Sequence, residues 1–348
     1  MMEMIIRGVS INVASPCYVI CEIGNNHDGD IGKAKLLIEA AAECGADAVK
    51  FQTFKALDIV SPGVTADAYE GWAVDTDYKY WYQFIETLEL PFEAYPSLID
   101  LSHSLGLAFI STPGSIEALE FLDTQNVDAI KIASMDLNNA GLLSAARTIE
   151  KPIILSTGMA ELEEVRLAVR ELSGASLALL HCVSNYPLKL EDANLRNVLL
   201  LRDNFDCPIG FSNHALGDEL DVLAIASGAS ILEKHFTLSR DTQGIAEHHF
   251  SMEPREMGVL IDRLRATERL LGSYQRILGQ EEALNRVSFR RSVTAANQIR
   301  HGEIIKIENL KFVRPGNGIP PRDVESILGK RLKRTVEEGD KILHDDIA

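Results

Sequence analysis

The stretch "SILEKHFT" spans residues 230–237, and its reading decides the fold. Ile231, Leu232 and Phe236 mark a short buried strand, yet Glu233, Lys234 and His235 sit in its middle. Burying ionisable groups is costly unless they are paired or ligate something. A side-chain period of two puts Glu233 and His235 on one face and Lys234 on the other. A strand ending at an active-site mouth reconciles these demands. Glu233 and His235 would meet a ligand, and Lys234 would form a structural ion pair or snorkel to solvent.

Seven similar runs precede this one: "YVICEIG" (18–24), "AVKFQTF" (48–54), "LAFISTP" (107–113), "DAIKIAS" (128–134), "PIILSTG" (152–158), "LALLHCV" (177–183) and "CPIGFSN" (207–213). Between them lie amphipathic runs such as "GKAKLLIEAAAECG" (32–45), "SIEALEFLDTQ" (115–125) and "ELEEVRLAVREL" (161–172). Their apolar residues recur at i, i+3 and i+4, and Ser115 reads as a helix N-cap. Strand–helix alternation implies parallel strands joined by right-handed crossovers, and eight such units close into a (β/α)8 TIM barrel. A doubly wound open sheet is the competing architecture, but no GxGxxG follows the first strand.

The last barrel helix, "PREMGVLIDRLRATERLLG" (254–272), ends at Gly272. The barrel domain therefore covers 1–272, followed by a polar linker over 273–289. From 290 to 348, short strand-like pieces alternate with the turn signals "RHGE", "RPGNGIPP" and "EEGD", which predicts a separate small β-rich module. The segment 55–87 is longer than an ordinary connection and rich in Tyr and Trp ("YKYWYQF"), which suits a lid or a partner contact.

A chain of 348 residues with 46% hydrophobic and 24% charged residues has enough apolar material for a barrel core and the surface of a soluble protein. Its formal net charge of −17 repels nucleic acid and anionic membrane, so neither is expected as a partner. No apolar run approaches the ~18–20 residues of a membrane span. The start "MMEMIIRGVS" lacks the basic-then-apolar pattern of a signal peptide. Five cysteines, an odd number in mostly apolar surroundings, read as reduced thiols in a cytoplasmic protein. Cys17 and Cys21 have no second pair to complete a zinc site.

In such a barrel the active site lies at the C-terminal ends of the strands. Those ends carry Glu22; Lys50 and Gln52; Ser111 and Thr112; Lys131, Ser134 and Asp136; Ser156 and Thr157; Ser184 and Tyr186; Ser212, Asn213 and His214; and Glu233 and His235. Two lysines and several hydroxyls converging on one mouth describe an anion site, most simply for phosphate. His214 and His235, on adjacent strands, can share a divalent metal, and Glu22 can join it or act as a general base. Phosphate, metal and carboxylate together suggest lyase or transferase chemistry on a phosphorylated small molecule. Each residue also has a plain structural reading: a packed histidine, a snorkelling lysine, a capping serine. His181 and Cys182 read as core packing, and His248 and His249 as exposed loop residues. The coincidence of polar groups on eight successive strand ends outweighs those single readings.

The motifs "CEIGNNHDGD", "GADAVKFQTF", "FISTP", "KIASMDLNN", "ILSTGM", "LLHCVSNYP", "IGFSNHALG" and "LEKHFTL" resemble, in order and spacing, the sialic acid synthase family. "FVRPGNGI" makes the C-terminal module resemble the antifreeze-like SAF domain (a β-clip) that follows the barrel in that family. The resemblance implies condensation of phosphoenolpyruvate with an N-acetylated hexosamine, such as N-acetylmannosamine or a 2,4-diacetamido relative. The products are a nonulosonic acid and phosphate, formed with C–O cleavage. It implies that His214 and His235 bind Mn²⁺, with Mg²⁺ or Co²⁺ as substitutes, and that Glu22 activates water. Lys50, Thr112, Lys131, Ser134, Ser156, Ser184 and Ser212 would cradle phosphoenolpyruvate. Gln52, Asp136, Tyr186, Glu233 and Glu247 would meet the sugar. Arg314 would reach the partner's barrel in a domain-swapped homodimer.

Asp136 stands where several members have Glu, and Glu247 where Asp is common, so the acceptor side departs from the family pattern. "HCVSNYP" and "GNNHDG" resemble the neuraminate and legionaminate types more than the pseudaminate type. Two other readings compete. A metal-dependent hydrolase on this fold needs an HxH after the first strand, where the sequence has "NNHDG". A non-catalytic antifreeze-like binding protein would not need Glu22 and both histidines.

Overall fold

The eighth barrel strand, Ile231–His235, pairs in parallel with the first, Tyr18–Gly24, and so closes the sheet on itself. Ile231 lies opposite Tyr18, and His235 opposite Glu22. The six strands between them are Ala48–Thr53, Ala108–Pro113, Ala129–Ile132, Ile153–Ser156, Leu177–Cys182 and Ile209–Asn213, each beside its sequence neighbours. This is the TIM-like barrel expected from the sequence. The protein is described by a computed structural model covering residues 3–69, 78–243, 245–273 and 275–348. Part of the long 55–87 segment, residues 70–77, lies outside the described residues.

Period-two alternation sorts every strand into two faces. Outward residues such as Val19, Cys21, Val49, Phe51 and Leu232 pack under the surrounding helices in the main apolar cluster. Inward residues change character along the barrel axis. At the N-terminal end, Tyr18, Ile20, Ala48, Ala108, Ile110, Ala129, Ile154, Ala178, Leu180 and Ile231 form a second apolar cluster. Toward the C-terminal end the inward positions become Glu22, Lys50, Thr112, Lys131, Ser156, Ser212 and Glu233, all buried.

The apolar end is plugged by a feature the sequence reading missed. Met4–Ile6 and Val9–Ile11 form an antiparallel hairpin, and Met4, Ile6 and Ile11 join the inner apolar cluster. Arg7 and Gly8 both have positive φ, 46° and 78°, as a tight two-residue hairpin turn requires. The signal was the alternation on either side of "RG".

Lys234 faces outward and is buried. Its Nζ donates to the carbonyls of Ala215 at 2.7 Å and Gly217 at 2.9 Å, and lies 3.3 Å from Asp221 Oδ2. Asp221 sits on the helix Glu219–Ala226, and its other oxygen accepts from Asn213 Nδ2 at 2.6 Å. Of the two readings open for Lys234, the structural ion pair is the one found. The pair ties the eighth strand to the loop that follows the seventh.

The long helix Pro254–Leu271 ends at Gly272, whose φ of 67° terminates it. The chain divides there into two compact units, Met1–Gly272 and Ser273–Ala348. The stretch expected to be a plain linker contains the helix Gln280–Phe289, none of whose residues is buried. Beyond it, strands Ser292–Ala295 and Leu310–Val313 pair antiparallel around a separate core that includes Val293, Ile299, Ile305, Ile319, Leu332, Val336 and Ile342.

Replacing Lys234 by Met leaves the buried Asp221 carboxyl, which burial already pushes up, without its counter-ion. The expected cost is about 3–5 kcal/mol of barrel stability, read as a lower urea midpoint for Lys234→Met than for wild type. An unchanged midpoint would show that the pair contributes nothing net.

Candidate active site

A cavity of about 560 Å³ opens at the C-terminal end of the barrel strands. Fourteen of the sixteen residues to which the family resemblance gives a role line it. They are Glu22, Lys50, Gln52, Thr112, Lys131, Ser134, Ser156, Ser184, Tyr186, Ser212, His214, Glu233, His235 and Glu247. Asp136 is half-buried just beyond the fourth strand and accepts from Asn139 Nδ2 at 3.2 Å. Arg314 lies in the second unit, where its Nε donates to the Phe289 carbonyl at 3.1 Å and its guanidinium covers the Phe289 ring. A second hollow of similar volume, lined by Thr157, Glu161, Asp192 and Asn194 among others, contains no Lys or Arg.

The charged layer is a linked network. Lys50 Nζ sits 3.2 Å from both Glu22 Oε2 and Glu233 Oε2. Lys131 Nζ lies 3.9 Å from Glu233 Oε1, which also accepts from Ser212 Oγ at 2.8 Å. Burial pulls the Lys131 ammonium down to about 8, and nearby Glu233 only partly opposes this. Burial also raises Glu22, partly offset by Lys50 and reinforced by Glu233. For Glu233 burial acts the same way, but Lys131 and Lys50 outweigh it and hold the carboxyl below its ordinary range. The pKa values of two neighbouring carboxylates are thus pushed apart, Glu22 upward and Glu233 downward.

Around the lysines, hydroxyls are left unused. Thr112 Oγ1, Ser156 Oγ and Ser184 Oγ are buried without a hydrogen-bond partner. Native interiors rarely tolerate such groups unless a ligand completes them. Gly158 donates its N–H to Ser134 Oγ at 2.9 Å. A Cβ at Gly158 would lie 2.4 Å from Ser184 Oγ, so glycine is required for this close approach. Lysines and hydroxyls together form an anion cradle.

A second group of unused atoms lies on the other side of Glu22. Among the described residues, ligand atoms of Glu22, His235 and Glu247 all fall within 4.8 Å of one another. His235 Nδ1 and Glu247 Oε1 are 2.7 Å apart, yet neither makes an aligned hydrogen bond. Two ligands about 2.1 Å from one ion lie about 3 Å apart, so the spacing fits a shared cation. A mixed imidazole and carboxylate set suits a divalent ion of intermediate hardness.

The sequence reading paired His235 with His214, and their ring centroids are 5.2 Å apart. His214 Nδ1 donates to the Val183 carbonyl at 2.9 Å, which fixes the tautomer and leaves the Nε2 lone pair facing the cavity side. Burial lowers its pKa to about 3, so the ring is neutral. The structure thus adds Glu247, expected on the sugar side, to the candidate ligand group. Gly24 makes room for it: a Cβ there would meet Glu247 Oε1 at 2.2 Å.

Several residues in or beside the cavity had no local signal. Cys182, read as core packing, faces inward into the cavity. His248, read as an exposed loop residue, is buried. It lies between Thr237 Oγ1 at 2.7 Å and both Asp28 oxygens at 3.2 Å, so it joins the loop after the first strand to the Glu247 turn. His181 does pack in the interior, stacked on Phe211. Asn25, Ile59, Val60, Trp81, Ile85, Ile245 and Phe250 also line it. Ile59, Trp81, Ile85 and Phe250 sit in helices of four to six residues, too short for a helical period to mark, and the others lie outside helices and strands.

Comparison with known proteins gives the family. Residues 37–276 match the NeuB family and residues 290–348 the SAF domain. The chain is 39% identical to the N,N'-diacetyllegionaminic acid synthase of Legionella pneumophila, across 95% of this chain and 94% of that protein. It is 34% identical to the human N-acetylneuraminate-9-phosphate synthase, across 95% and 92%. The N-acetylneuraminic acid (sialic acid) synthetase of Leptospira borgpetersenii, solved in complex with citrate, superposes with a TM-score of 0.75 at 32% identity, across 81% of this chain and 94% of that one. On sequence, fold and length covered, the chain belongs to the NeuB family.

Proposed function

We propose that the chain condenses phosphoenolpyruvate and water with an N-acetylated hexosamine to give a nonulosonic acid and phosphate. The observation that carries this reading is the cavity itself. Two buried lysines ringed by unused hydroxyls stand beside a carboxylate with a raised pKa and a histidine–carboxylate group without aligned partners. One half suits an enol phosphate, the other an aldehyde. The fold admits a hydrolase or a binding protein, but neither needs both halves.

Lys50, Lys131, Thr112, Ser134, Ser156, Ser184 and Ser212 hold the phosphate and carboxylate of phosphoenolpyruvate. Its C3 forms a bond to the aldehyde carbon, and the aldehyde oxygen takes a proton. Glu22 removes a proton from the water that adds to the resulting cation at C2, and phosphate then leaves by C–O cleavage. A raised pKa suits Glu22 to that exchange at neutral pH. His235 with Glu247, and His214 beside them, would hold the metal, Mn²⁺ by preference. When bound, the ion supplies Lewis acidity for the sugar aldehyde. Gln52, Asp136, Tyr186 and Glu233 position the sugar.

Arg314 completes the site from the partner of a homodimer in this reading. Charge supports that pairing: residues 273–348 carry 14 Lys and Arg against 11 Asp and Glu, while 1–272 carry 20 against 40. The five cysteines are all free, which fits a reducing cytoplasm. No helix among the described residues is long and apolar enough to cross a membrane.

With Mn²⁺, phosphoenolpyruvate and an N-acetylated mannosamine-type acceptor, the protein should release phosphate in step with a nonulosonate mass. Glu22→Gln should lower kcat by about 10²–10⁴ while phosphoenolpyruvate still binds. No phosphate release from the wild type, or full activity in the variant, would contradict the mechanism. His235→Ala should abolish the electron paramagnetic resonance signature of bound Mn²⁺ without unfolding the barrel, and retained affinity would refute the ligand assignment. Lys131 loses its charge as pH rises through about 8. The KM for phosphoenolpyruvate should therefore climb above that pH in the wild type and show no such step in Lys131→Met.

A further inference from the structure

The motif "GNNHDGD" (24–30) leaves the first barrel strand and folds into consecutive tight turns. The N–H of Asn26 donates to the Ile23 carbonyl at 2.8 Å, that of Asp28 to Asn25 at 2.9 Å, and that of Asp30 to His27 at 2.9 Å. Asp30 then caps the helix Ile31–Glu43 by accepting from the Lys33 N–H at 2.9 Å. His27 is buried and stacks on Phe51 of the second strand. A Cβ at Gly29 would meet the Thr87 carbonyl at 2.3 Å, so the loop is also packed closely on that side.

Glu247 has no such support from its own element. It opens a helix of four residues, Glu247–Phe250, too short to hold itself. Its carboxylate lies within 4.8 Å of that of Glu22, and like charges so placed repel. The loop supplies the hold at two points. Asn26 Nδ2 donates to the Phe236 carbonyl and to Ser251 Oγ, both at 2.9 Å, and Ser251 Oγ donates to the Glu247 carbonyl at 2.7 Å. Asp28, paired with Lys33, places both its oxygens 3.2 Å from His248 Nε2, whose Nδ1 lies 2.7 Å from Thr237 Oγ1. Asn26, Thr237, His248 and Ser251 are all buried.

We propose that Asn26 and Asp28, acting through Ser251 and His248, are positioning residues that hold Glu247 against His235 for the shared divalent ion. The inference rests on the metal role proposed above for His235 and Glu247, and assigns the residues that prepare it. The ties act on the backbone at Glu247 and on its neighbour His248, and leave the Glu247 carboxylate free for the ion. Ligands fixed before the ion arrives lose less freedom on binding it, and supporting partners of this kind are worth about 10–100-fold in metal affinity.

The test measures Mn²⁺ binding to the whole protein by electron paramagnetic resonance without substrates, and phosphoenolpyruvate binding by calorimetry in metal-free buffer. His248→Phe keeps a ring and removes both nitrogens. It should weaken Mn²⁺ binding by about tenfold or more and leave phosphoenolpyruvate affinity unchanged. Asp28→Ala should do the same. Asp28→Asn keeps an acceptor for His248 and suits the positive φ of 50° at that position, so it should restore affinity close to wild type. Ser251→Ala, the least disruptive change, should weaken Mn²⁺ binding in the same direction, and it decides alone if His248→Phe fails to fold. Unchanged Mn²⁺ affinity in the folded variants, or an equal loss of phosphoenolpyruvate affinity, overturns the inference and leaves the metal assignment intact. A wild type that binds no Mn²⁺ overturns both.

Discussion

Glu233 is the constraint on which the site depends. It stands inside a closed barrel, between two lysines that burial alone would not keep charged. Removing a carboxylate from water is costly, and its attraction to Lys50 and Lys131 offsets that cost only because Ser212 also donates to it. Glu22 then shares Lys50 with a neighbour whose carboxyl Lys131 and Lys50 hold below its ordinary range. The result is a carboxylate with a raised pKa beside one with a lowered pKa, on adjacent strands. The difference comes from placement, since both are glutamates on the same kind of strand.

The barrel supports this layer by being ordinary elsewhere. Its inner face is apolar at the end closed by the N-terminal hairpin and polar only where the strands reach the cavity. Outside, Lys234 and Asp221 repeat the pairing principle on a smaller scale and tie the strand that carries His235 to the loop that follows His214. Charges buried on the two faces of one strand therefore serve different ends. One set is satisfied within the protein. The other keeps atoms in reserve for substrates and an ion.

What could be read from the sequence followed from periodicity. Strict alternation placed Lys50 with Gln52 and Glu233 with His235, and the closed barrel brings those pairs to one mouth. Strand ends could be counted, so their polar residues could be assembled without coordinates. What could not be read depends on loops. Glu247 approaches His235 only because the turn after the eighth strand folds back over Gly24. His248 is buried by a distant aspartate, and Cys182 is turned inward by strand register rather than by its neighbours. The apolar cluster over the barrel mouth brings Ile59, Val60, Trp81 and Ile85, in and beside two short helices, against the distant Ile245, and no repeat of spacing announces it. The hairpin plug is foreshadowed in "IIRGVSI", but two strands of three residues are too short for alternation to mark them on their own.

The central claim is that water adds at C2 of phosphoenolpyruvate beside Glu22, so that phosphate departs with its bridging oxygen. Phosphoenolpyruvate labelled with ¹⁸O at that bridging position tests it most directly. The account predicts that one labelled oxygen appears in the released phosphate and none in the sugar acid. Label retained at C2 of the product would mean P–O cleavage, and would leave the raised pKa of Glu22 without a role in the reaction.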